Sequence, residues 1–126
     1  MNAKVLLVDD EPAVLKCMAT ALSRFGCSVT AASCGTAALE CLALDRFDLV
    51  VSDYRMPDIM GDAVVREVRE RQPEAAILLV TGFVDELPPE LRFGPEAVPV
   101  LPKPFSLAQL QHAIGTVLQP HPALAL

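Results

Sequence analysis

Leu49-Val50-Val51-Ser52-Asp53-Tyr54-Arg55-Met56-Pro57 is the stretch on which the fold turns. An unbroken apolar run enters a carboxylate, and Met56-Pro57 then bends the chain away. A strand without apolar–polar alternation reads as one buried on both faces, which places it in a parallel sheet covered by helices. Asp53 falls where that strand ends. In open parallel sheets, ligands and chemistry collect in the crevice outside the carboxyl ends of the strands. The groups that the rest of the chain delivers to the same rim therefore decide what Asp53 does.

Upstream, Lys4 to Val8 is a second buried strand, ending in Asp9-Asp10-Glu11. Pro12 suits the first turn of a helix. Val14, Leu15, Met18, Leu22 and Phe25 then recur at helical spacing, and Gly26 stops the helix as a left-handed cap. Ser28 to Ala31 reads as a short strand, and Gly35 to Leu44 as a helix with Ala38, Leu39 and Leu42 inward. Downstream, Gly61, Val64, Val65 and Val68 mark a third helix that ends before Pro73. Ala76 to Val80 is another fully apolar strand, running into Thr81-Gly82. Val98 to Leu101 reads as a fifth strand leading to Lys103-Pro104, and Pro99 and Pro102 suit it to a sheet edge. Ser106-Leu107-Ala108-Gln109 is a capping box for the last helix, whose inner face is Leu107, Leu110, Ile114, Val117 and Leu118.

Between the fourth and fifth strands the helical pattern fails. A proline disfavours the helical region for the residue before it, which acts on Leu87 and Pro88. A helix starting near Pro89 meets Gly94 and Pro95 almost at once, leaving about one turn, too short to stand without tertiary packing. Leu91 and Phe93 are expected to cover the sheet from that segment. Strands and helices otherwise alternate, which predicts an α/β fold: a flavodoxin-like, doubly wound, five-stranded parallel sheet of order 2-1-3-4-5, with helices on both faces and a short or irregular fourth helix.

The 126 residues suit one domain, expected over residues 1–119, with 120–126 as a tail or the start of a linker. Hydrophobic residues make up 52%, enough for a core without staples. The net charge of -6 argues against a nucleic-acid surface, which needs a basic patch. No run approaches the ~18 apolar residues of a membrane span. The spacings of Cys17, Cys27, Cys34 and Cys41 match no zinc pattern, and they read as free thiols in or near the core. Reduced thiols and an N-terminus without signal-peptide form lead us to expect a cytoplasmic chain.

The rim then receives Asp9 and Asp10 from the first strand, Asp53 from the third, Thr81 from the fourth and Lys103 from the fifth. Each has a bland reading alone. Asp-Asp-Glu-Pro is a reasonable helix N-terminus, Asp53 and Thr81-Gly82 could be turns, and Lys103-Pro104 a solvated loop. Together, at the ends of apolar strands, they form an inventory. Three carboxylates in one crevice repel each other, and one lysine does not offset them. A hard divalent cation does, and magnesium takes one or two carboxylates while keeping places for water and a phosphate oxygen. A carboxylate nucleophile, a metal, a cation and a hydroxyl donor are the parts of a phosphoryl-transfer site.

Across nearly its full length the chain resembles the receiver domains of two-component response regulators. The residues that carry the resemblance are Val8-Asp9-Asp10-Glu11-Pro12, Asp53-Tyr54-Arg55-Met56-Pro57 with Gly61, Val80-Thr81-Gly82 and Leu101-Pro102-Lys103-Pro104-Phe105. The resemblance implies that Asp53 takes a phosphoryl group from a phosphohistidine on a sensor histidine kinase or histidine phosphotransfer protein. It implies that Asp10 and Asp53 bind Mg2+ directly, that Asp9 acts through water, and that the backbone carbonyl of Arg55 is a further ligand. Thr81 would bond one phosphoryl oxygen and Lys103 pair with another, with the Lys103-Pro104 bond cis. It leaves a homodimer open and names neither nucleic acid nor membrane as a partner.

The sequence departs from the family in two places. The position three before the lysine, usually aromatic, is Val100, and the fourth-helix segment carries Pro88, Pro89 and Pro95. Both lie on the face through which many receivers signal. Two rival readings remain. A receiver that no longer cycles phosphate would act as a protein-interaction module, but it would be expected to lack one of the acids or the lysine. An aspartyl-phosphate phosphatase would carry a second aspartate two residues after the nucleophile, where this chain has Arg55. The domain is therefore expected to be no enzyme beyond its own phosphorylation and dephosphorylation.

Overall fold

The computed structural model describes residues 2–118. The five strands are β1 (Lys4–Val8), β2 (Ser28–Ala32), β3 (Leu49–Asp53), β4 (Ala76–Thr81) and β5 (Val100–Pro102). They form one parallel sheet in the order β2-β1-β3-β4-β5. The helices are α1 (Pro12–Arg24), α2 (Gly35–Leu44), α3 (Gly61–Arg71), α4 (Pro89–Arg92) and α5 (Leu107–Leu118). The tail expected at 120–126 lies outside the described residues.

The apolar runs behave as parallel-sheet strands should. Alternate side chains enter two separate cores. Leu6, Val8, Val50 and Leu79 pack with Ala38, Leu42, Val64 and Val68 of α2 and α3. Val5, Leu7, Val51 and Leu78 pack with Met18, Leu22, Leu110 and Ile114 of α1 and α5. β3 is buried at every position, Asp53 included. A site at its end therefore stands on a strand packed on both faces.

The punctuation predicted from local chemistry is in place. Pro12 opens α1. Gly26 has φ 92°, and the N–H of Cys27 donates to Leu22 O at 3.0 Å while that of Gly26 donates to Ser23 O at 3.1 Å. This pair of bonds closes the helix as a Schellman motif. The capping box of α5 is reciprocal: Gln109 N–H donates to Ser106 Oγ at 3.1 Å, and Ser106 N–H to Gln109 Oε1 at 2.8 Å. The proline-broken segment forms a 3-10 turn at Val84–Glu86 and then α4, a single turn of four residues.

Four details depart from the expectation. β5 begins two residues later than the apolar run suggested, because Val98 donates its N–H to Leu91 O and closes the α4 loop instead of joining β4. Leu107 is 54% exposed, although it shares the helical spacing of Leu110 and Ile114; it lines an open groove with Ala13 and Cys17 of α1. Leu91 covers the core from α4, but Phe93 faces solvent. All four thiols are free; Cys27 is buried, Cys34 and Cys41 are half-buried, and Cys17 lies on the exposed face of α1.

Candidate functional site: an acidic cluster bridged by a lysine

Register builds the site. Val8 pairs with Ser52 and Asp53 with Val80, so the next residue of each chain segment brings Asp9 beside Asp53 and Thr81 beside Tyr54. Thr81 pairs with Pro102, which sets Lys103 one step beyond the sheet. The backbone N–H of Lys103 donates to Thr81 O at 2.8 Å, and the Lys103-Pro104 bond is cis. The lysine side chain returns over the strand ends. Its Nζ lies 3.3 Å from Asp9 Oδ2 and 3.3 Å from Asp53 Oδ2.

Asp9, Asp10 and Asp53 each offer a carboxylate oxygen, and the three atoms lie within 4.8 Å of one another. Asp9 and Asp53 are buried, and Asp10 is more open to solvent. The other Asp9 oxygen, Oδ1, accepts from Glu11 N–H at 2.9 Å, so the cap of α1 fixes its orientation. Burial pushes the Asp53 carboxyl above its ordinary range, and the charges of Asp9 and Asp10 push the same way against Lys103. Burial would lower the Lys103 ammonium, but Asp53 and Asp9 prevail and hold it above its ordinary value. Lys103 is thus a firm cation, and the cluster around it remains negative. Oxygen donors only, three of them charged and one side open, fit a magnesium ion.

Thr81 is buried, and its Oγ1 accepts from Phe83 N–H at 3.0 Å, leaving the hydroxyl proton free to donate elsewhere. The structure brings Asp9, Asp10, Asp53, Thr81 and Lys103 to one rim; of Arg55, two residues after Asp53, the sequence singled out the backbone carbonyl and not the side chain. Arg55 behaves differently. Its exposed side chain turns to Glu86, with Nε donating to Oε2 and NH2 to Oε1, both at 2.8 Å, and its guanidinium lies 4.4 Å from the centre of the Phe83 ring.

Two neighbours were missed by sequence reasoning. Glu86 holds Arg55, yet the Asp85 to Ala97 segment signals only broken helicity. Asp58 accepts from Gly35 N–H at 3.1 Å and Thr36 N–H at 2.7 Å, so the loop after Asp53 caps α2. Bonds to Thr36 hold the Asp58 carboxyl well below its usual range. The only local clue was an acid in a turn.

Gly61 anchors the other end of this loop. A Cβ there would stand 2.8 Å from both Asp53 O and Tyr54 Cα, and the Gly61 N–H donates to Tyr54 O at 2.6 Å. Backbone atoms cannot swing aside as a side-chain tip does. Gly61→Ala is therefore expected to cost about 1–3 kcal/mol, read as a lower urea midpoint. A wild-type midpoint would show that β3 and α3 separate without resistance.

The response regulator receiver domain family matches residues 5–115, and the chain belongs to that family. The sensor kinase CckA of Brucella abortus is 37% identical over 125 residues, covering 94% of this chain and 13% of that protein. The response regulator protein FleR of Pseudomonas aeruginosa is 37% identical over 122 residues, covering 91% of this chain and 25% of that protein. The chain thus spans a quarter or less of the length of these relatives. Among solved structures, the receiver domain of a Pseudomonas aeruginosa sensor histidine kinase aligns with TM-score 0.81 and 26% identity over 94% of this chain and 98% of that one; it carries a magnesium ion in its active-site cleft. The chain is a receiver domain of two-component signalling, a signalling domain and not an enzyme of the ordinary kind. Among the described residues no helix is long and apolar enough to cross a membrane.

Proposed function

We propose that Asp53 is the phosphoacceptor of this receiver, taking a phosphoryl group from a phosphohistidine on a sensor histidine kinase or histidine phosphotransfer protein in the cytoplasm. The observation that carries this reading is the Lys103 ammonium, equidistant from Asp53 and Asp9 at the end of the most buried strand. An Asp53 oxygen forms a bond to phosphorus, the phosphorus–nitrogen bond breaks, and the imidazole leaves with its electron pair. Lys103 pairs with one phosphoryl oxygen, and the Thr81 hydroxyl donates to another. Asp10 and Asp53 would hold Mg2+ directly, Asp9 would act through water, and the backbone carbonyl of Arg55 would be a further ligand. The ion supplies charge neutralisation where phosphate approaches carboxylate. Reversal is hydrolytic: water attacks phosphorus, and Asp53 is regenerated with release of inorganic phosphate.

The test is intact mass after incubation with acetyl phosphate. One phosphoryl group per chain is expected with magnesium and none in chelator. A chain that gains nothing in magnesium, from acetyl phosphate or from a phosphorylated kinase, would overturn the reading and leave an interaction module. Repeated product release from a substrate other than the donor would make it an enzyme instead.

A further inference from the structure

The turn after β4 is held by three contacts in series that start at Thr81, the residue at the end of that strand. Thr81 Oγ1 accepts from Phe83 N–H. The Phe83 ring, 51% exposed, lies under the Arg55 guanidinium. Arg55 in turn grips Glu86 through two parallel hydrogen bonds across 31 residues of sequence. Glu86 ends the 3-10 turn, and the buried Leu87 follows it into the one-turn α4. The receiver has no aromatic ring at position 100 to move between two packed positions, and Val100 is half-buried against the α2–α3 core. What it has in its place is a charged side chain two residues from Asp53 that holds Glu86 and lies over Phe83.

We propose that the Arg55–Glu86 pair is this receiver's switch: a phosphoryl group on Asp53 draws the Arg55 guanidinium from Glu86 and releases the 83–87 turn with α4. The inference rests on Asp53 being the phosphoacceptor. Glu86 offers one negative charge; a phosphoryl group carries about -1.5 to -2 and three strong acceptor oxygens. Guanidinium matches phosphate as well as carboxylate in bidentate geometry. The Arg55 and Glu86 side chains are 54% and 41% exposed, and a pair so open to water is held weakly, so modest competition shifts it. The two arrangements of Arg55 are the two states, and the phosphoryl group discriminates between them. The released surface presents Phe83, Phe93 and the Asp85–Arg92 ion pair.

The experiment is amide hydrogen exchange on the full chain, with and without magnesium and beryllofluoride as a stable stand-in for the acyl phosphate. In wild type, exchange over residues 84–87 is expected to rise about threefold on adding beryllofluoride, the size set by an exposed ion pair. In Glu86→Gln it is expected to be raised already and to change little, while acetyl phosphate still phosphorylates Asp53. Unchanged exchange at 84–87 in a wild type that binds beryllofluoride would overturn the switch and leave the phosphoacceptor reading standing. So would a Glu86→Gln response as large as that of wild type. Failure of the wild type both to bind beryllofluoride and to accept phosphate would overturn both.

Discussion

Asp53→Asn is expected to abolish phosphoryl gain from acetyl phosphate, while Lys103→Ala and Thr81→Ala slow it. The nucleophile is the one part of the site with no substitute. An amide oxygen at position 53 has neither the charge nor the lone-pair basicity to hold phosphorus. Lys103→Ala leaves the nucleophile but removes the cation that bridges Asp9 and Asp53. Loss of one positioned charge-stabilising donor costs about 10²–10³ in rate, and Lys103 should fall in that range. Thr81→Ala removes a single neutral donor from a buried position, and a smaller loss, about 10-fold to 100-fold, is expected. Intact mass and peptide mapping give both the extent and the place. Phosphate on Asp53→Asn at the wild-type rate, or mapped in wild type to Asp9 or Asp10, would remove Asp53 from its assigned role.

The order of these three effects bears on how much of the site the sequence revealed. Asp9, Asp53, Thr81 and Lys103 were found because each follows an apolar run, and a parallel sheet aligns the ends of such runs by its own hydrogen bonding. The buried strands, Gly26 and the Ser106–Gln109 box were legible for the same reason: a local pattern with one physical solution. The start of β5 was not legible, because the Val98 N–H goes to Leu91 O in the α4 loop, a tertiary contact that the apolar run does not encode. Leu107 kept the helical period of its neighbours but lines an open groove beside α1. The Arg55–Glu86 pair had no signature, and the Asp58 cap had only an acid in a turn, with nothing to name α2 as its partner. They join loop residues 31 and 22 or 23 positions apart in sequence, and neither periodicity nor turn chemistry encodes which loops meet.

Without metal, Asp53→Asn is expected to be more stable than wild type at neutral pH, and with excess magnesium less stable. Three clustered carboxylates against one ammonium leave negative charge uncompensated. Burial, joined by Asp9 and Asp10, raises the folded-state affinity of Asp53 for its proton above the ordinary 3.8. The unfolded chain therefore loses that proton at lower pH than the folded one. Through that window the folded state binds more protons, so stability falls as pH rises, and above the folded value the whole deficit remains. An asparagine never ionises and carries no such deficit. Below 3.8 Asp53 is protonated in both states, and the advantage of the variant should fade. Magnesium inverts the comparison, because an ion that binds only the folded state stabilises by about 2.7 kcal/mol at one hundred times its dissociation constant. For a domain of this size that is worth on the order of 3–5 °C per kcal/mol in melting temperature. Wild type should gain all of it and Asp53→Asn much less, having lost one direct ligand. Thermal melts in chelator and in magnesium, at neutral and acid pH, read the crossing. A variant less stable than wild type in chelator at pH 7 would mean that Lys103 more than balances the cluster. Equal gains from magnesium would mean that Asp53 does not hold the ion.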